Sequence, residues 1–373
     1  MILENIQLKH FRNYEDVSLK FSPNINVFIG ENAQGKTNLM ESIYVLAIAR
    51  SHRASKDREM IQFEKDFAKI SGRVQKNATN IPLEVILTKK GKRAKVNHLE
   101  QARLSDYIGH FNTIIFAPED LELVKGAPAI RRRFIDMELG QMDAIYLYHL
   151  SAYQKILKQR NAYLKSIHEP NNSFDQTYFD VLNDQISLEA AHVMKRRRWF
   201  IQQLENWAKP THKDISQGSE DLTIVYKHSA KIEDFENVDS IYEEFRALLD
   251  DERDRELKQA TTVIGPHRDD LTFSINGLDV QTYGSQGQQR TTALSLKLAE
   301  IDLMKEVTGD YPVLLLDDVL SELDDNRQTH LLKSISNKVQ TFLTTTSISG
   351  IDSEFITDPK LFTINNGTIE KES

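Results

Sequence analysis

The stretch GENAQGKT at 30–37 limits what this chain can fold into more than any other part of its sequence. It lies between a short apolar run, NVFIG at 26–30, and a helical pattern that extends from Thr37 to Arg50. A G-x-x-x-x-G-K-[ST] segment between a strand and a helix wraps phosphate groups with its backbone N–H groups. The sequence therefore predicts a phosphate-binding loop within an α/β fold.

Each part of this loop has a predicted role. Gly30 and Gly35 let the backbone approach the phosphates closely, Lys36 reaches the β and γ oxygens, and the Thr37 hydroxyl binds Mg²⁺. The alternative is an ordinary glycine turn that caps a helix. The predicted nucleotide-binding residues are Gly30, Glu31, Asn32, Ala33, Gln34, Gly35, Lys36 and Thr37.

A second feature, VLLLDD at 313–318, has the pattern of a buried strand that ends in two carboxylates. Such a strand places Asp317 to hold Mg²⁺, directly or through water, and Asp318 to orient an attacking water. Alone the pattern is weak evidence for a catalytic site, because many strands end in an acidic turn. Together with a phosphate loop in the same chain, it is strong evidence. We therefore predict Lys36 and Asp318 as catalytic residues and Thr37 with Asp317 as the magnesium ligands.

Length and composition restrict the class of protein. A chain of 373 residues accommodates two domains, or one large domain with an inserted lobe. The absence of cysteine excludes disulfides, thiolate zinc sites and cysteine nucleophiles, and fits a reducing cytoplasm. The charged start lacks a signal-peptide core, and apolar runs such as 43–49 are far shorter than the roughly 20 residues that span a bilayer. We expect a soluble, cytoplasmic protein with no membrane partner.

The spacing of apolar residues changes twice along the chain. The early part alternates with the two-residue period of strands, as at Ile81 and Leu83, and then a helical period takes over until the strand pattern returns. We predict an α/β head made of residues 1–125 and 261–373, with residues 126–260 inserted as a mainly helical lobe. The two parts of the head should complete one sheet, because each has too few strands alone.

Three further predictions concern the helical lobe. Pro170 and Pro210 are expected to break its helices. The polar stretch 209–221 is expected to be a loop. Trp199 and Trp207 have apolar helical spacing and are expected to lie in the core rather than to stack on bases.

The segment HRDD at 267–270 has two readings. Histidine and aspartate are metal ligands, so it could belong to a metal cluster. It follows Gly265 and Pro266, however, and this favours a turn in which Arg268 pairs with a carboxylate.

The segment GSQGQQR at 284–290 opens a second helix and has the small residues of an anion site, but it contains no lysine. A phosphate loop, a long interruption, this segment, the acidic strand end and SELD at 321–324 occur in the order that resembles the ABC/SMC-type P-loop ATPase heads. In that class the signature of one subunit binds the γ-phosphate held by the phosphate loop of another. The resemblance implies such a trans-acting signature, formed by Ser285, Gln286, Gly287 and Gln288.

The finer pattern resembles the RecF family of bacterial recombination proteins. The matching stretches run in family order: LKHFRNY, ENAQGKTNLMESIY, RSHR, FAPEDLELVKGAP with RRRFID, GPHRDDL, GSQGQQR and LLLDDVLSELD. The resemblance implies an ATP- and Mg²⁺-dependent protein of gap repair that binds duplex DNA and single-/double-strand junctions. It also implies a homodimer that forms with ATP, slow hydrolysis, and action with RecR, RecO and RecA that supports SOS induction.

The DNA contacts are not fixed by the sequence. A formal net charge of −8 argues against a nucleic-acid partner, but binding to phosphate depends on local clusters. Each cluster has the alternative of being a solvated face. The candidate DNA contacts are Arg131, Arg132, Arg133, Arg196, Arg197 and Arg198.

Three other classes share parts of the pattern: an ABC-type ATPase subunit of a transporter or other non-DNA complex, an SMC-like clamp of another role, and a P-loop kinase or GTPase. A kinase or GTPase would leave GSQGQQR without a function. Two departures from the wider ABC pattern, Asp318 where glutamate is usual and threonines at 344–346 where many transporters have histidine, fit a slow switch better than a fast pump.

Overall fold

The computed structural model describes residues 1–77, 79–170, 172–336, 338–346 and 359–372. The strands in these ranges are β1 Ile2–Phe11, β2 Tyr14–Lys20, β3 Ile25–Ile29, β4 Phe67–Lys76, β5 Thr79–Thr88, β6 Gly91–Val96, β7 Leu99–Glu100, β8 Thr113–Phe116, β9 Leu222–Lys227, β10 Asp270–Ile275, β11 Leu278–Asp279, β12 Val313–Asp317, β13 Thr341–Thr345, β14 Lys360–Asn365 and β15 Thr368–Glu372. The helices are α1 Lys36–Ile48, α2 Leu121–Lys125, α3 Pro128–Met142, α4 Ala144–Ser166, α5 Gln176–Ile215, α6 Val238–Asp251, α7 Arg253–Gln259, α8 Val280–Tyr283, α9 Gln286–Thr308 and α10 Asp325–Ile335.

The chain divides into two compact units. The first unit consists of Met1–Leu121, Pro210–Ser219 and Ala293–Ser373, and the second consists of Glu122–Lys209 and Glu220–Thr292. These boundaries differ from the predicted ones, because the stretch before α9 belongs to the second unit rather than to the head. The reason is strand pairing, since β10 forms an antiparallel ladder with β9.

A mostly parallel sheet forms the centre of the first unit. Its strand order is β15-β14-β3-β13-β12-β8, and all neighbours are parallel except β15, which pairs antiparallel with β14. The early strands β3 and β8 are thus joined by strands from the last sixty residues or so of the chain. This confirms that the two sequence halves complete one sheet. The carboxyl ends of β3, β13, β12 and β8 meet at one edge, where an open α/β sheet binds its ligands.

A second sheet in the first unit is antiparallel, with order β2-β1-β4-β5-β6-β7. Its β5 strand follows the predicted alternation, because Leu83, Val85 and Leu87 are buried whereas their neighbours are partly exposed. Helix α1 contacts strands of both sheets, and its Leu39, Met40 and Ile43 are fully buried. The helix that follows the phosphate loop is therefore held on both sides by apolar packing.

The second unit has the mainly helical character that was predicted, together with the three-stranded sheet β11-β10-β9. The connection between α4 and α5 includes Pro170, as expected. Helix α5, however, spans 40 residues and continues through Pro210 to Ile215, so the predicted break at Pro210 is wrong. Of the predicted loop at 209–221, only residues 216–221 lie outside the helix. Proline removes one backbone hydrogen bond, but most helical stability comes from tertiary packing, and Ala208 and His212 on either side of the proline are buried.

The tryptophan prediction is also wrong. Trp199 is 40% exposed and Trp207 is 36% exposed. The buried positions of this part of α5 are Phe200, Leu204 and Ala208. Those three residues recur every four positions and form the inward stripe, so the adjacent tryptophans lie at its margin.

HRDD forms a turn, as predicted, but Arg268 donates to the carbonyl oxygen of Thr262 at 3.4 Å rather than to a carboxylate. No group of three or more His, Asp or Glu residues in the described part of the chain could hold a metal ion. Within the same residues, no helix is long and apolar enough to cross a membrane.

Candidate nucleotide site

The phosphate loop connects β3 to α1 in the first unit, and its two glycines are required for different reasons. Gly35 has a φ of 118°, a backbone conformation that favours glycine. A Cβ on Gly30 would lie 2.4 Å from the carbonyl oxygen of Ile364, which is backbone of the neighbouring strand β14. The loop therefore requires glycine at both positions of its motif.

Two turns of the first unit hold the loop from outside. The Asn13 amide donates to the carbonyl oxygen of Gln34 at 3.2 Å, and the Tyr14 hydroxyl donates to the carbonyl of the loop's last glycine at 3.0 Å. From the β14–β15 turn, the N–H of Gly367 donates to the same Gln34 carbonyl at 2.9 Å. The Asn366 N–H donates to Gln34 Oε1 at 2.8 Å. Preorganisation of the loop therefore depends on residues from both ends of the chain.

Lys36 begins α1, and its ammonium group turns back toward the loop. It donates to the carbonyl oxygens of Gly30 at 2.6 Å and Glu31 at 2.8 Å. Burial lowers the pKa of Lys36, whereas the carboxylates of Asp318 and Asp317 act to raise it. The predicted lysine thus lies within the electrostatic field of both predicted acidic residues.

The predicted magnesium ligands come together in the structure. The Thr37 hydroxyl donates to Oδ1 of Asp317 at 3.1 Å, and Asp317 is buried. Burial raises the pKa of Asp317, while hydrogen bonds from Thr344 and Thr37 act in the opposite direction. A hydroxyl oxygen beside a carboxylate oxygen is a pair of hard donors of the kind that Mg²⁺ prefers, so these residues fit the ion.

Asp318 follows directly and differs in exposure from its neighbour. It is exposed, and its backbone has a left-handed φ of 57°. Its N–H donates to the Thr344 hydroxyl oxygen at 2.8 Å. A carboxylate held at the edge of a sheet, one residue beyond the predicted magnesium ligand, could orient a water against a phosphate. Asp324, in SELD, caps α10 by accepting the N–H of Arg327.

The predicted catalytic and magnesium-binding residues do not include three neighbours of Asp317. Arg53 acts to lower the Asp317 pKa, Glu119 acts to raise it, and Thr344 contacts it directly. The register of β8, with Phe116 opposite Leu316, brings the residues after β8 to the same sheet edge. Glu119 could have been found by applying the strand-end rule to the apolar run NTIIF at 112–116.

The signature residues lie at the start of α9 and are described within the second unit. The Ser285 hydroxyl accepts the N–H of Gln288 at 3.2 Å, and Gln288 Oε1 accepts the N–H of Ser285 at 2.9 Å. This reciprocal pair is a capping box. Ser285 and Gln286 are exposed, and Gly287 lies in the first turn. The exposed N-terminus of a 23-residue helix attracts anions.

The arginine clusters are not uniform. Arg131 is 2% exposed and forms a two-pronged ion pair with Asp270, at 2.6 and 3.0 Å. Arg197 is equally buried, and it donates to Asp136 at 2.8 Å and to the carbonyl oxygen of Pro266 at 2.7 Å. Both guanidinium groups are bound by hydrogen-bond acceptors inside the second unit. Their burial contradicts the prediction that they contact DNA, because phosphate could not reach them.

The other four arginines are more accessible. Arg132 is half-buried and donates to the carbonyl of Asp269 at 2.8 Å. Arg196 pairs with Asp143, and the Arg198 guanidinium lies 4.3 Å from the centre of the Phe235 ring. Arg133 is exposed, and its Nε contacts the sulfur of Met137 at 3.4 Å. These four stay predictions as phosphate contacts.

Comparisons with known proteins agree along the whole chain. Residues 2–354 match the family model of the RecF/RecN/SMC N terminal domain. The DNA replication and repair protein RecF of Latilactobacillus sakei is 58% identical over 373 residues, covering 100% of this chain and 99% of the relative. Its counterpart from Bacillus velezensis is 54% identical over 371 residues, with 100% of both chains covered.

Solved structures give the same result. The recombination mediator protein RecF of the RecFOR pathway, in a structure described as RecF-ATP, superposes with a TM-score of 0.92 and 35% identity over 100% of this chain and 97% of that one. An Smc head domain from Pyrococcus furiosus superposes with a TM-score of 0.56 at 14% identity, and so shares the fold. The expected ABC/SMC-type ATPase head is thereby confirmed, and the chain belongs to the RecF family.

Proposed function

We propose that this protein is an ATP-dependent DNA-binding switch of recombinational gap repair. The observation that carries the proposal is the convergence of Lys36, Thr37, Asp317 and Asp318 at one sheet edge, in a chain that is 54–58% identical to RecF proteins over its full length. The relatives are named for DNA replication and repair, and one solved relative is named as a RecFOR-pathway mediator with ATP.

ATP binds through the loop at 30–37, with Lys36 contacting the β and γ phosphates. Thr37 and Asp317 would hold Mg²⁺, which would supply positive charge against the phosphates. Asp318 orients the attacking water. An aspartate is one methylene shorter than the glutamate usual at this position in ABC proteins, so hydrolysis is slow and serves to reset the switch.

ATP also joins two copies of the chain. Ser285, Gln286, Gly287 and Gln288 of one copy bind the γ-phosphate held by the other copy, and the positive end of α9 contributes. The missing lysine of this segment is supplied by Lys36 across the dimer. The exposure of Ser285 supports this role, since a residue that must reach a partner's ligand has to lie at the surface.

The ATP-bound dimer binds duplex DNA and single-/double-strand junctions, and hydrolysis releases it. Arg132, Arg133, Arg196 and Arg198 are the remaining candidates for phosphate contacts. In the cytoplasm the protein acts with RecR and RecO to help load RecA onto gapped DNA, and so supports SOS induction.

A two-part experiment tests this function. Size-exclusion chromatography with and without Mg²⁺–ATP should show an ATP-dependent dimer, and binding to gapped DNA at two salt concentrations should weaken steeply as salt rises. A Ser285→Arg variant should bind ATP as a monomer and fail to dimerise. A chain that stays monomeric with ATP would refute the switch. A chain that dimerises but ignores DNA would instead be an ATPase subunit of a non-DNA complex.

A further inference from the structure

Thr344 lies at the carboxyl end of β13, between the strand that leads into the phosphate loop and the strand that ends at Asp317. The strand register places it opposite Asp317 on β12 and opposite Phe28 on β3. Its side chain is almost fully buried, with 2% exposed. Thr344 therefore lies beside the predicted magnesium ligand, and the Thr344 side chain is shielded from solvent.

The Thr344 hydroxyl makes two hydrogen bonds with different partners. It donates to Oδ1 of Asp317 at 2.9 Å and accepts the backbone N–H of Asp318 at 2.8 Å. A hydroxyl has one hydrogen to donate and lone pairs to accept. One buried group thus fixes the carboxylate of one acidic residue and the backbone of the next.

Both contacts act on features that need support. Oδ1 of Asp317 also accepts the Thr37 hydroxyl, so two donors, one from helix α1 and one from strand β13, set the direction of this carboxylate. Asp318 has a φ of 57°, in the left-handed region that costs free energy for a residue with a side chain. A hydrogen bond to its N–H stabilises that conformation and fixes where its side chain begins.

We propose that Thr344 is a positioning residue, whose hydroxyl aligns Asp317 toward Mg²⁺ and Asp318 toward the attacking water. The inference rests on the proposed Mg²⁺–ATP function and adds to it a residue that lies on neither acidic strand end nor the phosphate loop. Groups that orient metal ligands from behind typically change metal affinity about 10- to 100-fold when they are removed.

The test separates nucleotide binding from magnesium binding in the full chain. Thr344→Val replaces the hydroxyl with a methyl group of similar size. Thr344→Ala removes both the hydroxyl and the methyl group of threonine, whereas Thr344→Ser keeps the hydroxyl. Thr341→Val is the matched control, because Thr341 lies in the same strand, is similarly buried, and donates to the Val339 carbonyl at 3.3 Å. The probe is a fluorescent ATP analogue, titrated first in EDTA and then with MgCl₂ at fixed nucleotide.

In EDTA, we expect all variants to bind the analogue as the unmodified chain does. In the magnesium titration, the Mg²⁺ concentration at half-saturation should rise at least about 10-fold in Thr344→Val and Thr344→Ala. In Thr344→Ser it should change by less than about threefold. Thr341→Val should not shift. The thermal midpoint of each apo protein reports whether it folds, and Thr344→Ala gives the answer if the valine variant does not fold.

Two outcomes would overturn the inference. Either a folded hydroxyl-free variant titrates with Mg²⁺ like the unmodified chain, or Thr344→Ser loses as much as Thr344→Val. Failure of the unmodified chain to bind the analogue, or to respond to Mg²⁺, would instead remove the proposed function itself.

Discussion

The Thr37 hydroxyl donates to Oδ1 of Asp317 at 3.1 Å and so joins residues that are 280 positions apart in the chain. One belongs to the first turn of α1 and the other ends β12. The hydrogen bond brings a hydroxyl and a carboxylate oxygen to the place where a magnesium ion would meet the phosphates.

Replacing Lys36 with alanine should weaken ATP binding roughly 10- to 100-fold, since a hydrogen bond to a charged group contributes about 1.5–3 kcal/mol. Equilibrium binding of a fluorescent ATP analogue measures the effect. Lys76→Ala is the control, because burial lowers the pKa of that lysine as well and its ammonium donates to the Gly109 carbonyl at 2.8 Å. Equal losses in the two variants would contradict a specific phosphate contact of Lys36.

Tyr283 is 70% exposed and lies two positions before Ser285, the first signature residue. Large exposed aromatic residues contribute strongly to protein interfaces, so Tyr283→Ala should weaken ATP-dependent dimerisation about 10-fold. Sedimentation velocity with Mg²⁺–ATP measures it, and ATP affinity of the monomer should not change. Tyr148→Ala is the matched control, at 53% exposure on α4 of the same unit. A dimer that tolerates Tyr283→Ala as well as Tyr148→Ala would show that Tyr283 lies outside the interface.

Substitution of Arg131 should affect the stability of the fold, whereas substitution of Arg133 should affect DNA binding. Arg131→Ala leaves Asp270 without its ion-pair partner in a largely buried place and should lower the free energy of unfolding by about 3 kcal/mol. Arg133→Ala should leave stability unchanged, weaken DNA binding, and reduce the salt slope by about 1. Urea unfolding and DNA titrations at several salt concentrations measure the two effects. A salt slope unaffected by Arg133→Ala would exclude that phosphate contact.

His267 should make the second unit sensitive to acid. Burial lowers its pKa to about 4 from an ordinary 6.5, while Nδ1 lies 2.6 Å from the Tyr153 hydroxyl and Nε2 lies 3.1 Å from the Thr262 carbonyl oxygen. The unfolded chain takes up a proton near pH 6.5 that the folded chain resists until about pH 4. The contribution of His267 to the free energy of unfolding is therefore fully present above pH 6.5. It falls as the pH drops toward 4, by up to about 3 kcal/mol.

Urea unfolding monitored by tryptophan fluorescence measures this dependence, because both tryptophans of the chain, Trp199 and Trp207, belong to the second unit. A His267→Gln variant has no such proton to gain, so its stability should change less over the same pH range. An identical pH dependence in the two proteins would contradict the assignment to His267.

Much of the first unit followed from local patterns. The loop at 30–37 lies between a strand and a helix as predicted, and the apolar runs near 113 and 313 became neighbouring parallel strands. These predictions held because a strand that ends in a glycine loop or a carboxylate pair is encoded by residues next to one another. The prediction at Pro210 failed because buried neighbours determine whether a helix tolerates one lost hydrogen bond.

The sequence by itself predicted the α/β head, the phosphate loop with Lys36, and the pair of residues proposed to hold magnesium, since motif spacing carries that chemistry directly. Only the tertiary structure decided that Arg131 is internal and that Thr344 connects the two acidic residues. Burial and hydrogen bonding depend on partners far away in the chain, as with Arg131 and Asp270 at a separation of 139 positions. A run of arginines or threonines looks alike in sequence, whether its side chains face solvent or the core.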